Sequence, residues 1–146
     1  MRAHHATRTV LVPILGDDIS AAAFATASSL LARNASRLVL LHVSPAHGCA
    51  HGSPAVRRCP RALPRWRRLA ESVGPDRTFV EAVTGNPPAE VLAEADRFHS
   101  DTIILGPPKP ATSRDAWINR TIAQLERRSP RRVCVANARR SNAPHD

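Results

Sequence analysis

Residues Val10 to Leu15 (VLVPIL) form a short apolar run rich in branched side chains, followed by Gly16, Asp17 and Asp18. From Ile19 to Asn34 small and apolar residues then recur at helical spacing through Ala23, Ala27, Leu30 and Leu31. The order spells strand, turn and helix, with Asp17 and Asp18 suited to the positive end of the helix dipole. Arg37 to Val43 (RLVLLHV) is nearly continuous in hydrophobicity, as a parallel strand covered on both faces requires. Thr78 to Val83 is a third strand closed by Gly85, after which Asn86 and Pro87 supply a helix cap and a preorganised first turn. The helix that follows runs to about His99, with Val91, Leu92, Ala95 and Phe98 on one face and Glu90, Glu94 and Arg97 pointing outward. Asp101 to Leu105 is a fourth strand ending at Gly106, a helix runs from about Arg114 to Arg128, and Val133 to Ala136 is a fifth strand. Between the second and third strands lie a proline-containing loop, Ser44 to Pro64, long for a compact domain, and a short helix from Arg65 to Val73.

Short apolar strands alternating with amphipathic helices imply an α/β fold: one open, five-stranded parallel sheet with right-handed crossovers and helices on both faces. The 146 residues allow one domain with a real core, assigned to residues 8–137. Residues 1–7 and 138–146 are expected to be flexible termini, and 45–63 a variable loop.

Composition narrows the function. With 3% aromatic residues and no tyrosine, the core rests on Val, Leu, Ile and Ala, and modules that stack bases on aromatic platforms are disfavoured. The net charge is +9, and Lys109 is the only lysine among 21 basic residues, which makes anionic partners plausible. No stretch is long and apolar enough for a membrane span, and the start MRAHHATR lacks the apolar region of a signal peptide. Cys49, Cys59 and Cys134 lack CxxC spacing and suit a reducing compartment. A cytoplasmic location is expected.

At this point the residues resemble the universal stress protein family. The resemblance lies in VLVP at Val10 to Pro13, LLHV at Leu40 to Val43, GNPPAEVL at Gly85 to Leu92 and DTIILG at Asp101 to Gly106. It implies the family's Rossmann-like, adenine nucleotide alpha hydrolase-like fold, a role in stress response, and a homodimer through the last strand. Some members bind ATP between the first and fourth strands, which agrees with ligand binding at the switch point of an open parallel sheet.

Here the chain departs from the family pattern. The family's phosphate loop runs glycine, two residues, glycine, nine residues, glycine, then serine or threonine; counted from Gly106, the later positions hold Lys109, Asn119 and Arg120. Side chains there obstruct the backbone amides that wrap phosphate oxygens. The family's nucleotide-contacting aspartate after the first strand is Leu15, whereas Val43 fits its adenine-contacting position. The candidate nucleotide-binding residues are therefore Pro13, Val43, Gly106, Lys109, Arg114, Arg120 and Thr121, with cations standing in for the lost amide cradle. No cofactor is assigned; ATP or another phosphate anion is the ligand this set would admit, weakly.

Other features have plainer readings. Six arginines fall between Arg57 and Arg68, with Trp66 among them; they read as a solvated face, with a nucleic-acid or other polyanion surface as the alternative. His47, Cys49, His51 and Cys59 lack the paired short loops of a zinc site, so no metal is assigned. His42 is expected to be a packed, hydrogen-bonded core histidine and Cys134 an inert buried thiol. Walker A, GxGxxG, HExxH and GxSxG patterns are absent, and Asp17, Asp18 and Asp101 have cap or strand-start roles. The expectation is a non-catalytic domain that binds a small anionic ligand or a partner, with ATP binding weak or lost; a nucleotide-binding switch and a polyanion-binding accessory protein are the alternatives.

Overall fold

A computed structural model describes residues 8–16, 19–34, 37–45, 63–110 and 116–136. Five strands, β1 (Thr9–Leu15), β2 (Arg37–Pro45), β3 (Thr78–Gly85), β4 (Thr102–Leu105) and β5 (Arg132–Val135), alternate with four helices. These are α1 (Ala21–Asn34), α2 (Leu63–Val73), α3 (Pro87–Arg97) and α4 (Trp117–Arg128). The strands form one parallel sheet in the order β3-β2-β1-β4-β5.

The order explains the layering. The chain steps outward from β1 to β3, then returns past β1 to β4 and β5. Right-handed crossovers place helices on opposite faces when the direction reverses. Accordingly Val10, Val12 and Ile14 of β1 pack with Ala23, Ala27 and Leu31 of α1 and Trp66 of α2. Leu11 faces the other way, packing with Val91 and Ala95 of α3 and Ile118, Ile122 and Leu125 of α4. Strands so sandwiched need apolar side chains at every position, which is why VLVPIL does not alternate.

Several boundaries and burial assignments differ from the sequence reading. No acidic residue lies in the first turn of α1; the Ser20 hydroxyl accepts the Ala23 N–H at 3.2 Å, so a neutral cap begins the helix. Asp17 and Asp18 lie outside the described residues, as do 46–62 of the long loop, the termini 1–7 and 137–146, and Arg114. β2 runs on to Pro45 and β3 to Gly85, where their mutual pairing ends. β5 begins at Arg132 rather than Val133, and Ala136 follows it, donating its N–H to the Leu105 carbonyl. Cys134 is half-buried, not buried, because β5 is an edge strand. Glu94 is half-buried rather than outward, because it bonds Arg97 at 2.7 Å, and this neighbour raises the Arg97 guanidinium further above its ordinary pKa. Glu90 is likewise half-buried, leaning over Gly85. The cap on α3 is as expected: the Asn86 side chain accepts the Ala89 N–H at 3.1 Å, with prolines in the first turn.

Candidate functional site

The crevice begins where β1 and β4 part. β1 pairs with β2 along its whole length, from Thr9 opposite Arg37 to Leu15 opposite Val43, but with β4 only at Val10 and Leu11. Pro13, two residues further along β1, has no N–H to lend to a ladder. Beyond this point α1 and α4 leave toward opposite faces of the sheet, and a gap opens at the carboxyl ends of the strands. It encloses a cavity of about 390 Å³.

Pro13, Leu15 and Gly16 line the cavity from the end of β1, and Ile19 and Ser20 from the approach to α1. Leu105 to Lys109 follow from β4, with Ile118 and Ile122 from α4 on the far side. Most lining side chains are apolar, backbone groups supply polar surface between them, and Lys109 is the only charged residue among the described lining residues. Its side chain is exposed at the rim.

Two glycines give the cavity its shape. Gly16 has φ +102°, a conformation side chains rarely adopt, and a Cβ there would stand 3.2 Å from Ile118 Cδ1. Gly106 admits close approach: an added Cβ would fall 2.5 Å from Ser20 Cβ and 2.7 Å from Ser20 Oγ. The Gly16 turn is held from behind by His42, whose Nε2 donates to the Gly16 carbonyl at 3.2 Å. The His42 ring stacks on Trp66 at 5.1 Å between centroids, so the histidine is packed and hydrogen-bonded as its place in β2 implied, though half-buried.

Asn119 ties the loop after β4 to α4. Asn119 Oδ1 accepts the Lys109 backbone N–H at 2.7 Å, and Asn119 Nδ2 donates to the Lys109 carbonyl at 2.8 Å. Only one orientation of the carboxamide satisfies both contacts. Lys109 does not have a positive φ; His99 is the one non-glycine residue that does among those described. The two positions counted as lost glycines therefore bond to each other in ordinary backbone geometry.

Of the sequence-derived candidates, the structure brings Pro13, Gly106 and Lys109 together at the cavity. Val43 instead packs in the core with Leu41 and Val91. Thr121 is buried, its hydroxyl donating to the Trp117 carbonyl at 3.0 Å, and Arg120 is exposed and does not line the cavity. Arg114 lies outside the described residues. So do His47, Cys49, His51 and Cys59, and among the described residues no cluster of His, Cys, Asp or Glu could hold a metal. Arg67 and Arg68 are exposed on α2, but Trp66 between them and Arg65 is fully buried. Reading by spacing missed Gly16, Ile19, Ser20, Ile118 and Ile122 as lining residues; their apolar or capping character signalled only core and helix start.

A sequence profile of the Universal stress protein family matches residues 6–137. Among solved structures, the universal stress protein UspA from Lactobacillus plantarum is 20% identical with a TM-score of 0.67, the match covering 92% of this chain and 99% of that one. A universal stress protein in complex with cAMP is 19% identical with a TM-score of 0.64, covering 90% and 97%. The universal stress protein from Archaeoglobus fulgidus in complex with dAMP is 15% identical with a TM-score of 0.56, covering 88% and 97%. At these identities the likeness shows a shared fold. No curated protein matches this sequence. The chain belongs to the Universal stress protein family.

Proposed function

We propose that this chain is a non-catalytic ligand-binding domain of the stress response, acting in the cytoplasm, whose cavity between β1 and β4 holds a small nucleoside-like ligand and binds ATP weakly. The observation that carries the proposal is the cavity itself. It lies at the switch point of the sheet, and its volume of about 390 Å³ falls toward the small end of the range for small-molecule sites. Related folds in complex with cAMP and dAMP support a mononucleotide-sized occupant. Among the described residues no helix is long and apolar enough to cross a membrane.

Weak ATP binding follows from the polar groups available. Leu15 at the end of β1 cannot accept a hydrogen bond from a ligand, and Lys109 sits at the rim, where water screens its charge. Each missing polar contact costs about 1 to 3 kcal/mol, or roughly tenfold to a hundredfold in affinity. Binding of anions through Lys109 is therefore expected to be salt-sensitive and poorly selective. No carboxylate, histidine or cysteine lies among the described lining residues, which supports a binding role over hydrolysis.

The proposed assembly is a homodimer through β5. This edge strand pairs on one side with β4, and Val133, Cys134 and Val135 are half-buried. Antiparallel pairing with a second copy would cover them.

Nucleotide extracted from freshly purified protein, followed by calorimetry with ATP, ADP and phosphate at low and high salt, tests the function. Little bound ATP and salt-sensitive binding are expected, with no phosphate released from ATP. Tight, adenine-selective and salt-insensitive ATP binding would overturn the reading. Light scattering at tens of micromolar checks the dimer, and a monomer at both low and high salt would count against it.

A further inference from the structure

We propose that Asn119 is a specificity-determining residue of this cleft: its carboxamide holds the backbone N–H and carbonyl of Lys109 where an anion would otherwise bind, so the cavity gains little affinity from a ligand's phosphate. The inference rests on the reading of the cavity as the ligand site.

The contact geometry carries the proposal. The backbone of a residue offers one donor and one acceptor, and a carboxamide is complementary to both. The bonds of 2.7 and 2.8 Å from Asn119 engage the N–H and the carbonyl of Lys109, which belong to successive peptide groups, as a neighbouring strand would. A phosphate oxygen can only accept. To reach the Lys109 N–H it must displace Asn119 Oδ1, and it then leaves Nδ2 and the Lys109 carbonyl to find water. One ligand contact is gained where two internal contacts are lost.

The apolar side chains of the cavity favour the uncharged part of a ligand. Pro13, Leu15, Ile19, Leu105, Ile118 and Ile122 present apolar groups to the cavity, which reward burial of a ring. Ser20 Oγ accepts the Ala23 N–H, and its O–H adds one neutral donor to the cavity. Lys109 Nζ is left as an exposed, screened attraction. The latch occupies the two counted glycine positions, so it excludes phosphate by using up a donor rather than by steric blockade.

Adenosine and AMP are the probes, titrated by calorimetry into the full wild-type chain and into Asn119→Ala and Asn119→Gly, with hydrogen exchange followed at the Lys109 N–H. In the wild type, AMP is expected to bind no more than about fivefold more tightly than adenosine, as a screened surface charge allows. In both variants the preference for AMP is expected to rise about tenfold, equivalent to about 1.4 kcal/mol, while adenosine affinity holds and Lys109 exchange accelerates. Alanine is a good helix former, so Asn119→Ala keeps α4 if glycine weakens it. Wild-type and variant proteins with the same AMP preference would overturn the proposal, as would unchanged Lys109 exchange in both variants. If no probe binds any of the three proteins, the ligand-site reading and the proposal fall together. That outcome is distinct from equal binding by all three, which removes the proposal alone.

Discussion

Gly106→Ala isolates the close approach that shapes the cleft. The backbone at Gly106 is not in the left-handed region, so alanine can adopt its conformation; the obstacle is Ser20, whose Cβ and Oγ lie 2.5 and 2.7 Å from the new methyl group. No real carbon approaches that closely, so α1 or the loop after β4 must move. Overpacking of this kind costs about 1 to 3 kcal/mol. Displacing Ser20 also weakens its 3.2 Å bond to the Ala23 N–H, and loss of a helix cap costs about 1 kcal/mol. The combined expectation is about 2 to 4 kcal/mol, or a fall of roughly 6 to 16 °C in Tm for a domain of this size. Urea unfolding of the wild type, Gly106→Ala, Ser20→Gly and the double variant measures the coupling. Glycine serves at a helix cap at a cost of only a few tenths of a kcal/mol, and it removes both atoms that clash. Gly106→Ala should therefore be nearly free in the Ser20→Gly background, giving a coupling of more than about 1 kcal/mol. Additive effects of the two substitutions would refute the close approach as the cause.

Trp66→Ala removes a fully buried ring stacked on His42 and should cost about 3 to 5 kcal/mol; chemical denaturation showing a loss below about 1 kcal/mol would contradict its place in the core. Asn86→Ala removes the side-chain cap of α3 and should cost about 1 kcal/mol, seen as a drop of roughly 3 °C in a thermal melt. Lys109→Ala should weaken phosphate binding up to about fivefold and flatten its salt dependence. Arg120→Ala, exposed and away from the cavity, should leave it within about twofold; calorimetry showing the reverse order would place the anion elsewhere.

The elements were legible because their signals are local. Asn86 followed by Pro87 and Pro88 caps a helix whatever lies beyond it, and the structure keeps that cap. The unbroken apolar runs of β1 and β2 announce burial on both faces, and the reversal of strand order follows from the family's fold. Local spacing was less reliable for exposure. Glu94 lies on the helix face expected to point outward, yet it is half-buried beside Arg97 and near the end of the helix packed on the sheet. Cys134 sits in an apolar strand, but its exposure depends on whether a further strand lies beside it.

The site was legible only in outline. The loss of the family glycines and the presence of Gly106 and Lys109 at the cleft are readable along the chain. That Asn119 bonds Lys109, that Ser20 demands a glycine at residue 106, and that β1 and β4 separate beyond Leu11 are contacts between segments distant in sequence. Hydrophobic periodicity encodes which side of an element is apolar, because each residue's preference for water or core is its own. It carries no term for which distant side chain arrives opposite, since that depends on how sheet order, crossover hand and strand length place the elements together. The strands, helices and family thus follow from the residues in order, whereas the cavity and its latch exist only once β1, β4, α1 and α4 meet.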